Sequence, residues 1–451
     1  MKIIIVGCGK VGRTLAEQLT KENHDIVVVE KDPEVLREGT ARLDVLGVEG
    51  NGASITVLEE AGVREADLLI AVASEDELNL LCCLIAKKAG AKHTIARVRN
   101  PEYSREIPFI KDDLGLSMTI NPEQAAAMEM VRLLRFPSAI KVETFAKGRV
   151  ELLKMQIPEN SVLDGKRLYE AMAKLKAKVL VCAVEREGDI TIPSGEFMLR
   201  SGDRISIVAP PAAARQFFKR SGVLKDRVEN VLIIGGGKIS YYLAKSLLDM
   251  HMRVKIVEKN AERCLTLSER LPDATIVEGD GTDQQLLKEE GIEQADAFVS
   301  LTDIDEENIL LSLYAGSCSG AKLITKVNWL TFENIIGSMP VGSTIYPKMI
   351  TAEYIIRYVR AMQNSLGSNV QTLYRIVSDR AEALEFRVRE RTEMIGVPLE
   401  QLRLKKNLLV SCINRGGTII IPGGKDTIEI GDTVIVVTTN TGLSDLHDIL
   451  A

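Results

Sequence analysis

Six residues near the start, Gly7-Cys8-Gly9-Lys10-Val11-Gly12, have the spacing G-x-G-x-x-G. They stand between a β-branched run, Ile3-Ile4-Ile5-Val6, and a stretch of helical periodicity. That context predicts a phosphate cradle. Gly7 makes the tight turn, Gly9 lets the backbone approach a pyrophosphate, and Gly12 lets the helix pack on the strand. The N–H groups and dipole of the helix start favour phosphate anions. Glu30 ends the next β-branched run, Ile26-Val27-Val28-Val29. A carboxylate there accepts hydrogen bonds from ribose hydroxyls and repels a 2′-phosphate, which favours NAD or an adenosine nucleotide over NADP.

The same chemistry is written a second time. Gly235-Gly236-Gly237-Lys238-Ile239-Ser240 follows Val231-Leu232-Ile233-Ile234, and Glu258 closes the next run; residues 7 and 235, and 30 and 258, stand 228 apart. Ser240 replaces the third glycine, so the second cradle is the weaker expectation. VEGNGASITVLEEAGVREADLLIAVASEDELN (48–79) then faces VEGDGTDQQLLKEEGIEQADAFVSLTDIDEEN (277–308). Within these, Asn51 and the pair Ala73-Ser74 in the first copy, and Asp280 in the second, leave strand ends where open α/β sheets bind ligands. Asn51 and Asp280 are candidates for the adenine or ribose edge, with ordinary turn chemistry as the alternative. Arg97 and Arg99 alternate on a strand and so share a face, from which they could grip phosphate or form salt bridges. Lys326 and Asn328 replace them in the repeat. Lys10 and Arg13, on the first helical turn, add cations at the phosphate end.

Short strands alternating with amphipathic helices predict two Rossmann-like units with parallel sheets. Val11, Leu15 and Leu19 form one helix face, repeated by Ile239, Leu243 and Leu247. After each unit comes a smaller α+β one, with short strands and turn signals such as Gly202-Asp203 and Gly431-Asp432. The predicted fold class is thus α/β with four units: 1–136, 137–221, 228–362 and 370–451. Linkers are expected near 136–149, 218–228 and 362–372. Helices at 123–135 and 348–360 follow Pro122 and Pro347. Ala126, Met130, Val131 and Leu134, and their counterparts Ala352, Ile355, Ile356 and Val359, form their apolar faces, which read as core helices.

Composition bounds the function. The chain has 451 residues, 45% hydrophobic and 27% charged, with a net charge of −6, so no global basic field recruits nucleic acid. Seven cysteines without a CxxC suit reduced thiols in a cytosol. The four histidines are isolated and offer no metal-ligand spacing. No secretory leader stands at the start, and no apolar run reaches membrane-spanning length. No residues stand in a recognisable catalytic setting, such as GxSxG or a Tyr-Lys pair. The expectation is a binding and regulatory protein rather than an enzyme; an NAD-dependent oxidoreductase is the alternative.

GCGKVG with Glu30, the phrases AVASEDELN and IARVRNPEY, the endings LRSGDRISIVAP and IEIGDTVIVVTT, and the duplication carry a resemblance. Over essentially its whole length the chain resembles the TrkA family, peripheral regulatory subunits of Trk-type bacterial potassium uptake systems. Each large unit resembles an RCK-N (KTN) domain and each small one an RCK-C domain. The resemblance implies NAD(H) or ATP/ADP bound in the RCK-N clefts. It implies a homo-oligomeric ring of paired RCK-N units on the inner face of the cell membrane, docked under a potassium-translocating subunit whose ion flux responds to nucleotide exchange. Gly7, Gly9, Val11, Glu30, Ala73, Ser74 and Arg97 would line the first site. Gly235, Gly237, Ile239 and Glu258 would line the second. The helix at 123–135 would cross into a neighbouring RCK-N unit. The first half is expected to bind nucleotide more tightly than the second, and neither to accept NADP well.

Overall fold

A computed structural model describes residues 1–145, 149–159, 161–222, 228–328, 333–365, 370–376, 381–389, 392–440, 443 and 445–451. The first repeat begins with β1 (Lys2–Val6), α1 (Lys10–Lys21), β2 (Asp25–Glu30), α2 (Pro33–Thr40), β3 (Leu46–Glu49) and α3 (Ile55–Glu60). It continues with β4 (Leu68–Ala71), α4 (Asp76–Ala89), β5 (His93–Arg97), α5 (Pro101–Ile110), β6 (Met118–Ile120) and α6 (Pro122–Arg135). The smaller unit holds β7 (Lys141–Phe145), β8 (Val150–Gln156), α7 (Leu168–Leu175), β9 (Leu180–Arg186), β10 (Asp189–Thr191), β11 (Arg204–Ala209) and α8 (Pro211–Arg220).

The second repeat runs through β12 (Asn230–Ile234), α9 (Lys238–Asp249), β13 (Arg253–Glu258), α10 (Ala261–Arg270), β14 (Thr275–Glu278) and α11 (Gln284–Glu289). Then come β15 (Ala297–Ser300), α12 (Asp305–Cys318), β16 (Lys322–Lys326), α13 (Glu333–Ile336), β17 (Ser343–Ile345) and α14 (Pro347–Ser365). Strands β18 (Val370–Ile376), β19 (Ala381–Arg387), β20 (Leu408–Arg415), β21 (Thr418–Ile420) and β22 (Thr433–Thr438) complete the chain.

The contacts gather like with like. One compact unit is Met1–Met130 with Asn230–Ile356; the other is Val131–Glu229 with Arg357–Ala451. The division falls inside α6 and inside α14. In the first unit each repeat builds a parallel sheet, β3-β2-β1-β4-β5-β6 and β14-β13-β12-β15-β16-β17. Central strands such as Ile3-Ile4-Ile5 and Leu68-Leu69-Ile70 are buried along their whole length, because helices cover both faces of a parallel sheet. Connections leave β1 and β4, and likewise β12 and β15, in opposite directions. A crevice therefore opens at those strand ends, where the glycine loops lie.

The second unit holds two five-stranded antiparallel sheets, β10-β9-β11-β8-β7 and β18-β19-β22-β20-β21. They share a core in which Phe145, Leu152, Cys182 and Val208 pack with Ala383, Cys412, Ile435 and Val437. The Gly-Asp turn signals carry more than a turn. Buried Asp203 takes two hydrogen bonds of 2.7 Å from Arg186, and Asp432 is gripped likewise by Arg415. Among the described residues of the second copy, a short 3-10 turn, Leu399–Gln401 after Pro398, stands in place of helix α7.

Expected linkers prove partly structured. Lys141–Phe145 pairs with β8 as strand β7. Helix α14 runs on to Ser365 because Ala361, Met362 and Gln363 are good helix formers, and β18 starts at Val370. Of the expected linkers, 146–148, 223–227 and 366–369 lie outside the described residues.

Candidate functional site

The first glycine loop is shaped by steric necessity. Gly7 has φ +101°, and a Cβ there would lie 2.9 Å from the Ala73 nitrogen; at Gly12 it would lie 1.9 Å from the Gly7 oxygen. A Cβ at Gly9 would meet nothing within 4 Å, so the backbone there faces open space. Gly9 is also the N-cap of α1, with no side-chain cap and no acidic residue in the first turn. Its N–H groups are left for an anion. Glu30 ties this loop to the end of β2: Cys8 N donates to Oε2 at 2.7 Å, and Lys31 N to Oε1 at 2.9 Å. Glu30 remains partly exposed.

The neighbouring loop is held by a residue whose role the spacing did not reveal. Buried Asn79 accepts from Ala73 N at 2.8 Å and donates to the carbonyls of Ala73 and Arg97, both at 3.0 Å. Asn308 repeats this brace on Thr302 and Lys326. Both asparagines end the repeated phrases, SEDELN and DIDEEN, and that recurrence was their only signal.

The second loop keeps the backbone and changes the side chains. Gly235 has φ +97°, and a Cβ at Gly237 would again meet nothing within 4 Å. Ser240 fits where Gly12 stands by donating its hydroxyl to the Gly235 carbonyl. Glu258 accepts from Gly236 N at 2.6 Å and Asn260 N at 2.8 Å, and Arg263 reaches it at 3.4 Å. Glu258 is only 5% exposed. A reciprocal exchange of size explains the closure. In the first copy Cys8 packs against Gly39, where a Cβ would come 2.2 Å from its sulfur. In the second copy the loop residue is Gly236 and the α10 residue is Leu267, whose Cδ1 lies 2.7 Å from where a Gly236 Cβ would be. Leu267 and Arg263 line the crevice there, whereas Glu258 does not.

Both loops open into one cavity of about 980 Å³. The two repeats meet beside it: Asn121 donates to the Tyr242 hydroxyl at 2.9 Å, and Arg270 pairs with Glu102 at 3.1 Å. Of the candidates, Gly7, Gly9, Lys10, Val11, Glu30, Asn51, Ala73, Ser74 and Arg97 line it from the first repeat, and Gly236, Gly237, Lys238 and Ile239 from the second. Cys8, Gly235, Glu258 and Asp280 do not. Cys8 is buried beneath its loop. Asp280 is exposed and caps its own turn through Thr282, whose hydrogen bonds hold its carboxyl below the usual range. Asn51 likewise accepts from Ala53 N at 3.0 Å, yet it remains at the cavity edge. Ile239 is not on the buried face of α9, where Ser240, Leu243, Ala244 and Leu247 lie.

Charge in the cavity is uneven. Arg13 is absent from the lining; it turns back to the Cys8 and Val35 carbonyls. Arg99 lies beyond the end of β5 and donates to Glu123 at 2.6 Å. Arg97 donates to the Ala73 carbonyl at 2.5 Å, while its Nε is buried without a hydrogen-bond partner. Burial, with Arg99 nearby, holds its guanidinium below its ordinary pKa. At the start of α14, Lys348 lines the cavity together with Lys10 and Lys326. Burial and Lys10 push Lys348 down to about 8 against the pull of Asp305. In the first repeat the matching position after the proline is the carboxylate Glu123.

Comparison with known proteins agrees with this architecture. The TrkA-N domain family matches residues 3–122 and 231–347, and the TrkA-C domain family matches 152–222 and 383–451. The chain is 37% identical over 438 residues to a Trk system potassium uptake protein TrkA homolog of Archaeoglobus fulgidus, covering 97% of each chain. It is 33% identical to the Trk system potassium uptake protein TrkA of Halomonas elongata, over 97% of this chain and 95% of that one. Among solved structures, a GsuK channel bound to NAD superposes with a TM-score of 0.63 at 18% identity, covering 97% of this chain and 77% of the channel. GsuK bound to ADP gives 0.51 at 16% identity, covering 79% and 69%.

Proposed function

Since the chain belongs to the TrkA family of Trk system potassium uptake proteins, we propose that it is a cytosolic, nucleotide-binding regulatory subunit of a potassium uptake transporter. The observation that carries this reading is the single cavity onto which both glycine loops open. A ligand there touches two Rossmann-like bodies at once, so ligands of different size or charge favour different arrangements of the pair. A ligand shifts such an equilibrium only by its difference in affinity for the two states. The occupants named for the channels of similar fold, NAD and ADP, are the ligand class we carry over.

The residues present fit such a group. Gly9 leaves open backbone for a pyrophosphate at the uncapped start of α1, Glu30 stands at the cavity for ribose hydroxyls, and Lys10 and Arg97 supply cations. Bound nucleotide supplies charge and bridging contacts, not a reaction; the chain acts as a gate and not as an enzyme. Among the described residues no helix is long and apolar enough to cross a membrane. On this reading the protein works peripherally, as a homo-oligomer beneath a Trk-type potassium-translocating subunit. Potassium flux through that subunit in vesicles, with purified protein added, tests the reading. Flux that depends on the protein and changes on exchanging ATP, ADP and NADH supports it. Flux indifferent to nucleotide, or sustained NADH turnover with a substrate, overturns it in favour of an oxidoreductase.

A further inference from the structure

The core shared by the two small units is built from faces that match each other and not themselves. Strands β8 and β11 of the first copy correspond to β19 and β22 of the second, because the ladders keep one register. Leu152 pairs with Val208 and Lys154 with Ser206, as Ala383 pairs with Val437 and Glu385 with Ile435. Part of the face is the same in both copies. Val208 matches Val437, and Ile190 and Ile192 at its margin match Ile419 and Ile421. The centre differs reciprocally. Val150 and Leu152 on β8 stand where β19 has Ala381 and Ala383, whereas Ser206 on β11 stands where β22 has Ile435. Val150, Leu152, Ala381, Ala383 and Ile435 are buried in one core. Ser206, two residues before Val208, lies on the same face and is buried too. Charge reverses along with size, from Lys154 to Glu385. The copies also touch at the margin: Arg149, just before β8, lies against the turn after β20, where a Cβ on Gly417 would come 2.6 Å from its Nη1.

Two identical faces pair by a twofold only if the surface is complementary to itself. Neither face here meets that condition. Two first-copy faces would supply the bulk of Val150 and Leu152 twice and overpack the centre. Two second-copy faces would supply it nowhere and leave a void. A first face on a second sets large residues against small ones, as a well-packed core does. We propose that the small units are matched to each other and reject a second copy of themselves, so that the partner of the first small unit is the second small unit of its own chain. The face is then closed within each chain, and chains associate with one another through other surfaces. The inference holds whatever the glycine loops bind.

Exchanging the faces in the full chain tests the proposal by urea denaturation. Ala381→Val/Ala383→Leu/Ile435→Ser gives the second small unit a first-copy face, and Val150→Ala/Leu152→Ala/Ser206→Ile does the reverse. Each triple variant is expected to lower the urea midpoint by about 1 M or more. All six substitutions together swap the faces and restore the match, so that midpoint is expected to return to within about 0.5 M of wild type, where independent sites would add their losses. An unchanged midpoint in either triple variant, or additive losses in the six-site variant, would overturn the proposal. Leu152→Ala, Ala383→Leu and their double replace any triple variant that fails to fold. A double no more stable than Leu152→Ala alone would overturn it equally. A short bis-maleimide applied to Arg149→Cys/Gly417→Cys reads the choice of chain. The expected product is cross-linked within one chain and runs as a monomer on a denaturing gel; a product joining two chains would overturn the pairing within a chain.

Discussion

The two glycine loops have nearly the same backbone and offer a ligand different surroundings. Each begins with a glycine at positive φ, packs against the next strand's loop and caps a helix without a side chain. In the first copy a small residue on α2, Gly39, leaves Glu30 at the cavity; in the second, Leu267 and Arg263 close over Glu258. Duplication preserved the cradle and changed a few side chains around it. A nucleotide motif is therefore a statement about backbone; the side chains that differ around it, at Gly39 and Leu267, stand 32 positions further on (39 − 7 and 267 − 235), on the second helix of each repeat.

The largest expected effect falls on Glu30. Glu30→Ala should weaken NAD or ADP by about a hundredfold, the loss of roughly two charge-assisted hydrogen bonds. Glu258→Ala should leave affinity within about threefold while lowering stability, because Gly236 N and Asn260 N lose a buried acceptor. Titration calorimetry and chemical denaturation read the two effects separately. For the same reason, NADP should bind at least about tenfold more weakly than NAD.

Next in size is the exchange of bulk beneath the loops. Gly39→Leu should destabilise the protein by about 2–3 kcal/mol by driving a side chain into Cys8. Adding Cys8→Gly, which recreates the Gly236–Leu267 pairing, should recover more than half of that loss. A double-mutant cycle by urea denaturation measures the coupling. Simple additivity would show that the two pairs are not equivalent.

Lys348 gives a smaller, pH-dependent effect. Its value of about 8 lies below the ordinary 10.5, so folding disfavours its charged form. That cost is complete below pH 8, shrinks between pH 8 and 10.5, and is gone above. Lys348→Met should therefore stabilise the nucleotide-free protein by about 1–2 kcal/mol at pH 7, with the gain fading toward pH 10. Smallest of all is Ser240→Gly, which should cost about 1 kcal/mol through loss of the hydroxyl bond to Gly235 and lower helix propensity.

The periodicity of Leu15 and Leu19, the β-branched runs and the 228-residue repeat led directly to two parallel sheets, because those patterns report burial along a single element. The cradle at Gly7, Gly9 and Gly12 could be read in the same way. Closure of the second site could not, since it depends on Leu267 meeting Gly236 across two elements. Lys348 was visible only as a lysine aligned with Glu123 after a matched proline; its proximity to Lys10 arises when the two repeats face each other. Arg99 was placed on β5 by alternation, but the strand ends at Arg97 where the chain turns into α5. The sequence makes the small units look alike, yet among the described residues the second has a 3-10 turn, Leu399–Gln401, where the first has α7.

The central claim is that one of the two glycine loops seats an adenosine nucleotide and the other serves as its wall. Equilibrium titration of the full chain with labelled NAD or ADP, counting tight sites in wild type, Glu30→Ala and Glu258→Ala, tests it most directly. The account predicts one tight site per chain in wild type, none in Glu30→Ala and one in Glu258→Ala. Two tight sites per chain, or loss of the site in Glu258→Ala with Glu30→Ala still binding, would contradict it.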